Sequence, residues 1–417
     1  MGSPKYVRPQ KHNSWFNVVP VRDFPHLGSP KVPFLDSFVT MEASPREPGY
    51  VVRYEGVHPM HVTVQYGFIC VWFGDDLTKP SWPFPVLFDR SFGRDFCIGK
   101  PRVFKDTNLL DLIENNGDQL HFKTVHRWHS VSISDHTYTD RVFRLKMSGV
   151  ISYARSSESA VKRTLSRIVP VSDYHQDLAF HGPGFGAGQI STNGGLQAQL
   201  VLAFTPIGDN DLRLYLAASV DESTLPSWLR ALFRLNPFVS LHDLLSRAIV
   251  RAGADDTDGD YRIWRYKRSL KDPKLLPGEA DIVRIREWMS QYYLKDFEQP
   301  PLAIKAEEQK RWILLGHDEE ITPGRVHSFT VAGEEVVAYR ASNGELCIFE
   351  AHCPHQGAHL GRGGRLEDDC LSCPFHHFYF NPQGEFVGTK PEGKPKPHMK
   401  LHPVEHRLSD DRVEVFV

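Results

Sequence analysis

The 417-residue sequence has no run of about 18 apolar residues, so no membrane-spanning helix is expected. Its opening, Met1-Gly2-Ser3-Pro4-Lys5, lacks the apolar core of a secretory signal. Cysteine is scarce. There are six, and Cys70, Cys97, Cys347 and Cys370 show no framework spacing. A disulfide scaffold is therefore not expected, and a reducing cytoplasm fits. An excess of one charge is also missing. The formal net charge of -2 gives no reason to expect a nucleic-acid partner. There is no internal repeat and no low-complexity tract. The glycine-rich stretch Gly182 to Gly188 lacks a strand before it and a helix after it, so it reads as a bend near a pocket. No nicotinamide site is visible.

What is present is an ordinary soluble composition, 41% hydrophobic and 24% charged, long enough for two or three domains. Residues 296–310, DFEQPPLAIKAEEQK, read as a linker, because two prolines and then charge separate a helical stretch from a β-rich one. Ahead of it, strands are expected at Val62 to Phe73, Val142 to Tyr153, Gln189 to Thr192, Gln197 to Phe204 and Leu212 to Val220. Helices are expected at Leu109 to His126, at Ser227 to Arg251 with an interruption at Pro237, and at Ala280 to Tyr293. The expected fold is α+β: an antiparallel-sheet domain with helices over 51–300, then a small all-β domain over 301–417. Residues 1–50 read as an N-terminal extension.

The strongest local signal lies in the all-β part. Cys353-Pro354-His355 and Cys373-Pro374-Phe375-His376 form C-x-H-x17-C-x2-H. Zinc also accepts two Cys and two His, but usually from a CxxC knuckle and an HxxxH pair. Here each arm carries one Cys and one His in the same order, which suits a two-iron, two-sulfide cluster of Rieske type, with thiolates on one iron and imidazoles on the other. His352, His359 and His377 fall outside the spacing and read as polar loop residues.

A second constellation lies upstream. Asn115, Asp118, His121 and His126 form N-x2-D-x2-H-x4-H. His121 and His126 lie roughly 140° apart around an ideal helix at about 100° per residue, so they share a metal only if the helix ends between them. The β-branched pair Thr124-Val125 makes such an ending plausible. Two imidazoles and a carboxylate make the facial triad of non-haem iron(II) sites. The candidate carboxylate is Asp260, with Asp255, Asp256 and Asp258 as competitors. Read alone, each is a solvated loop or N-cap residue.

Together these motifs resemble the terminal oxygenase components of the Rieske non-haem iron oxygenases, in the branch with 3-ketosteroid 9α-hydroxylase, cholesterol 7-desaturase and aminopyrrolnitrin oxygenase. The resemblance implies a [2Fe-2S] cluster on Cys353, His355, Cys373 and His376, and mononuclear Fe(II) on His121, His126 and Asp260, the last preceding Ile263-Trp264 by three residues as in the family. It implies a helix-grip-like catalytic domain, with Asn115 and Asp118 as catalytic residues and Asp118 bridging His376 and His121. A ferredoxin or flavin-dependent reductase is the implied electron source, O2 the co-substrate, a sterol-like molecule the substrate and a homotrimer the assembly. The permuted linker leaves an intrasubunit bridge open. Two departures stand out. The cluster domain comes last here and first in the family, and the family's Gly-Trp after the final ligand is His377-Phe378. The apolar, arginine-flanked helix near Trp228 and Leu232 has two readings, a mouth for lipid at a membrane surface or, preferred, an amphipathic core-facing helix.

Overall fold

The computed structural model describes residues 12–27, 31–90, 92, 95–126, 128–150, 173–208, 210–234, 240–270, 272–276, 279–294, 311–396 and 398–417. Two compact units divide them. The larger takes Pro9–Tyr261 and Glu279–Phe297, and the smaller takes Arg262–Gly278 and Glu298–Val417. The expected linker at 296–310 lies outside the described residues.

The larger unit is built on an eight-stranded antiparallel sheet. Its order is His129–Tyr138, Val142–Val150, Asp173–His181, Phe185–Thr192, Gln197–Pro206, Leu212–Val220 and Cys97–Ile98, with Arg102–Phe104 also pairing to Leu212–Val220. In Val142–Val150, Phe143, Leu145 and Met147 are buried while Arg144 and Lys146 are exposed. That period of two marks a strand with one covered face. Leu212–Val220 is buried at every position, because a second layer covers its other face. Trp15, Phe68, Cys70 and Trp72 from that layer pack with Phe185, Val201, Ala203 and Tyr215. Ser14–Pro20 pairs with Phe68–Phe73 and is wholly buried, so the described part of the first 50 residues belongs to this unit.

Several elements differ from expectation for local reasons. Val62 to Phe73 is two strands, Val62–Gln65 and Phe68–Phe73. Tyr66 and Gly67 both take positive φ, 51° and 80°, which makes the tight hairpin turn that matches strand twist. The glycine-rich stretch is not a free bend, since Phe185–Thr192 is a full strand of the sheet. A Cβ on Gly184 would sit 1.9 Å from the Trp15 carbonyl oxygen, so glycine here permits the two layers to close. Leu109 to His126 is two helices, α1 (Leu109–Gly117) and α2 (Gln119–Thr124). The helix expected to stop near Arg251 is α3 (Ser227–Arg234) and α4 (Leu241–Trp264), and the interruption at Pro237 lies outside the described residues. A last helix, α5 (Ala280–Ser290), packs on α1. Buried Glu114 of α1 takes hydrogen bonds from Arg286 of α5, one at 3.3 Å.

The smaller unit is all β apart from short turns. Trp312–His317 pairs with Arg412–Phe416, and that strand with His406–Ser409. Strands His327–Val331, Glu334–Arg340 and Leu346–Glu350 form a second sheet, and four short strands from Arg365 to Gly388 a third. Leu315, Val336, Ala338, Ile348, Val413 and Val415 form its core. The first motif arm follows Leu346–Glu350. The second joins Cys370–Ser372 to Tyr379–Phe380.

Candidate metal centres

In the larger unit the site begins with a helix break. Asp118, at φ -96° and ψ 93°, leaves α1 and caps α2, its Oδ1 accepting from the Leu120 N–H at 3.1 Å and the His121 N–H at 3.2 Å. An Asp cap satisfies amides that the new helix leaves unpaired. The break turns His121 inward, 1% exposed. Its Nδ1 lies 2.6 Å from the Asp118 main-chain oxygen. A carbonyl only accepts, so Nδ1 carries the proton and Nε2 presents its lone pair. Asn115 Nδ2 donates to that Nε2 at 3.0 Å, a bond that gives way where a metal takes the lone pair. It is thus the main-chain carbonyl of Asp118, not its carboxylate, that holds the His121 ring proton.

Helix α2 ends at Thr124, and His126 follows in the turn. The two imidazoles therefore meet, with ring centroids 5.1 Å apart at 76°. Asp260 comes from α4, not from a loop. The run from Asp255 to Asp260 has poor helix propensity, yet it stays helical because α4 packs along the unit. A Cβ on Gly253 would lie 3.4 Å from Leu216 Cδ1, and Ala254 and Asp260 are buried. Asp260 Oδ1 lies 3.1 Å from His126 Nε2 and 3.9 Å from His121 Nε2. This oxygen is buried without a hydrogen-bond partner. The competitors separate by geometry. Asp258 pairs with Arg102 at 3.0 Å, and Asp256, one turn before Asp260, lies 3.7 Å from His126 Nδ1, the ring nitrogen turned away from Asp260 Oδ1. Burial, partly offset by Asp260, lowers the His121 pKa to about 4, so the ring is neutral, as a metal ligand must be.

In the smaller unit Cys353, His355, Cys373 and His376 are each at most 1% exposed. The Nδ1 atoms of His355 and His376 face one another at 2.9 Å. Burial pushes the Cys353 thiol well up, while peptide N–H groups of His355 and Gln356 point at its sulfur. Burial also acts to raise Cys373, but Cys353, His376 and the peptide N–H groups of Phe375 and His376 outweigh it and bring it to about 7. A dry cage of two sulfurs and two Nδ1 atoms, with peptide N–H groups aimed at sulfur, has the donor set of a Rieske cluster. His377 sits at φ 52°, in the left-handed region where glycine is the easy choice. Phe378 is fully buried, its ring 4.8 Å from His355 and 5.0 Å from Phe386. It fills the space beside the cage.

A family model described as the 3-ketosteroid 9α-hydroxylase C-terminal domain matches residues 71–293, more than half the chain, and a Rieske [2Fe-2S] domain model matches 311–404. The chain belongs to the Rieske oxygenase family. The domain order of this Rieske oxygenase is reversed, since a domain described as C-terminal precedes the Rieske domain. Among curated relatives, cholesterol 7-desaturase of Ciona intestinalis is 38% identical over 76 residues, covering 18% of this chain and 16% of that protein. Aminopyrrolnitrin oxygenase of Pseudomonas fluorescens is 41% identical over 58 residues, 14% and 16%. The oxygenase component of 3-ketosteroid-9-alpha-monooxygenase from Rhodococcus rhodochrous is 34% identical over 74 residues, 18% and 19%. The matched stretches thus span less than a fifth of those relatives' lengths. The residues of this Rieske oxygenase fit both family cofactors. Cys353, His355, Cys373 and His376 suit the [2Fe-2S] cluster, and His121, His126 and Asp260 suit the mononuclear iron.

Sequence spacing missed two parts of this chemistry. Asp256 lies beside His126 because i and i+4 share a helix face, a pattern visible only once α4 is known to continue. His352 and His359, expected as polar loop residues, are largely buried and converge on Glu335. A cavity of about 570 Å³ in the larger unit is lined by Lys146, Asp177, Gln189 and Gln199 among others, and not by His121, His126 or Asp260.

Proposed function

We propose that this Rieske oxygenase is a terminal oxygenase component. It takes electrons from an external ferredoxin or flavin-dependent reductase and, with O2, oxidises a bulky hydrophobic, sterol-like molecule by hydroxylation, desaturation or demethylation. One observation carries the reading: the buried Asp260 Oδ1 accepts no hydrogen bond and lies 3.1 and 3.9 Å from two imidazole Nε2 atoms. A pure electron carrier has no use for such a donor set. Two relatives whose names concern cholesterol and 3-ketosteroids support the substrate class, and aminopyrrolnitrin oxygenase supports an aromatic secondary metabolite as the second reading.

When bound, the cluster supplies single electrons and the iron the open positions where O2 is activated. The chain does the rest. The Asp118 carbonyl keeps the His121 proton on Nδ1 and so leaves Nε2 for the iron, and burial excludes water. The Asp118 carboxylate, which accepts the His121 peptide N–H rather than its ring proton, reaches His376 across subunits of a homotrimer. We place the protein in the cytoplasm. No described helix is long and apolar enough to cross a membrane. Peripheral membrane contact runs through Trp228 and Leu232 of α3, 63% and 56% exposed, so this face of the helix is not turned to the core.

Anaerobically purified protein tests the reading. About three irons and two acid-labile sulfides per chain are expected. With a ferredoxin, its reductase and NADH, cholesterol or a 3-ketosteroid stimulates O2 consumption and yields an oxidised sterol. Asp260→Ala loses about one iron, keeps the cluster spectrum and stops turnover. Two irons in the unmodified chain, with electron transfer but no O2 uptake, refutes the oxygenase.

A further inference from the structure

Residues 266–270 and 272–274 cross the first motif arm as a strap. The Arg268 N–H donates to the Gly357 carbonyl at 2.8 Å and the Lys274 N–H to the Pro354 carbonyl at 2.9 Å. Gly357 takes φ +78°, and a Cβ there would lie 1.9 Å from the Arg268 carbonyl oxygen, so the strap lies directly against the arm. Tyr266 packs edge-on to His359, and the Arg362 guanidinium lies over the Tyr266 ring at 5.1 Å.

Beside the strap, Glu335 gathers three partners. His352 Nε2 is 3.5 Å from its Oε2, His359 Nε2 is 3.6 Å from its Oε1, and Arg268 Nη2 is 4.0 Å from Oε2. Two imidazoles and a carboxylate at these separations resemble a metal donor set. His359 argues against that. Its Nδ1 accepts from the Gly361 N–H at 3.0 Å, so in the neutral ring the proton sits on Nε2, facing Glu335. A metal needs that lone pair. The cluster of side chains is therefore an ion pair, Arg268 with Glu335, flanked by two imidazoles. The neighbouring His359 Nε2–H, above all, holds the Glu335 carboxyl down at about 2, so it is negative at neutral pH. His352 directly precedes one cluster ligand and His359 lies four residues after another, which places one negative and one positive group beside the cage.

We propose that Glu335 and Arg268 are positioning residues whose opposed charges set the reduction potential of the cluster held by Cys353, His355, Cys373 and His376. Reduction adds one negative charge to the cluster. A nearby carboxylate opposes it and a nearby guanidinium favours it. The proposal rests on the cluster reading. Iron, sulfide and visible spectra of the full chain are therefore measured first, and an unmodified chain without a cluster overturns that reading and this one together.

The test is an anaerobic potentiometric titration of the full chain and its variants. Glu335→Gln shifts the reduction equilibrium about three- to tenfold toward the reduced form, tenfold being about 59 mV for a one-electron couple. Arg268→Ala keeps the main-chain strap bonds and shifts it by a similar factor toward the oxidised form. Glu335→Asp and Arg268→Lys stay within about twofold of the unmodified chain, by retaining charge. A merely structural role lets water in either way and moves both truncations in the same direction. Shifts of one sign, or both below about twofold, overturn the proposal. If Glu335→Gln fails to retain the cluster, Arg268→Ala alone decides: a lowered potential supports the proposal, and a raised or unchanged one overturns it.

Discussion

Gly357→Ala isolates the contact between the strap and the first motif arm. Gly357 sits at φ +78°, which costs an L-residue about 1–2 kcal/mol. Its new Cβ would also lie 1.9 Å from the Arg268 carbonyl oxygen, where real contacts stay above 3.0 Å. The strap must then retreat by about 1 Å, enough to break the 2.8 Å bond from the Arg268 N–H to the Gly357 carbonyl. A lost hydrogen bond with partial burial adds about 1–2 kcal/mol, so the total is about 2–4 kcal/mol. Gly333→Ala is the control. It has φ +82° and nothing within 4 Å, so only the backbone cost of about 1–2 kcal/mol applies. Both variants are made in the full chain. Hydrogen exchange at Arg268 and Lys274 reads the strap, and urea-induced loss of the cluster's visible absorbance reads the unit. The expected result is faster exchange at Arg268 and a lower urea midpoint for Gly357→Ala than for Gly333→Ala. Equal midpoints with unchanged Arg268 protection refute the reasoning.

Mixing Asp118→Ala chains with Cys353→Ser chains restores turnover if electrons cross between subunits, and no restoration in verified mixed oligomers argues for an internal route. Burial holds His181 at about 4, below its ordinary 6.5. Its depressed folded value means that its contribution, at most about 3 kcal/mol, is full above pH 6.5 and lost as pH falls toward 4. His181→Gln therefore flattens the acid limb of a stability-versus-pH curve, and an unchanged slope between pH 6.5 and 4 counts against the assignment. Arg286→Met leaves buried Glu114 without its guanidinium, and thermal unfolding should show a loss of about 3–5 kcal/mol. A loss under about 1 kcal/mol would mean that the pair is solvated.

The cage of four ligands was legible in the sequence because each arm is short and its chemistry depends on local order. His121 and His126 were legible only with a helix ending between them. That ending does fall at Thr124, beside the β-branched Val125, but the break that turns His121 inward is an earlier one, at Asp118. The apolar Ile263-Trp264 pair that follows it points to Asp260, and the resemblance points to the same residue, but nothing in the sequence reveals that the whole run of aspartates stays helical. The strap was not legible at all. Arg268 and Gly357 are far apart in sequence, and one close approach of two main chains leaves no periodic trace. The Tyr66-Gly67 turn was hidden for the opposite reason, since apolar residues on both sides made two strands read as one.

The three residues proposed to hold iron do not share one kind of support. Asp260 is fixed on a helix of 24 residues, whereas His121 stands on one of six residues and His126 in the turn beyond it. The donor set is stiff on the carboxylate side and compliant on the imidazole side. Any adjustment of coordination when substrate or electron arrives falls to the short segment from Asp118 to His126, the same segment that carries the proposed relay residue.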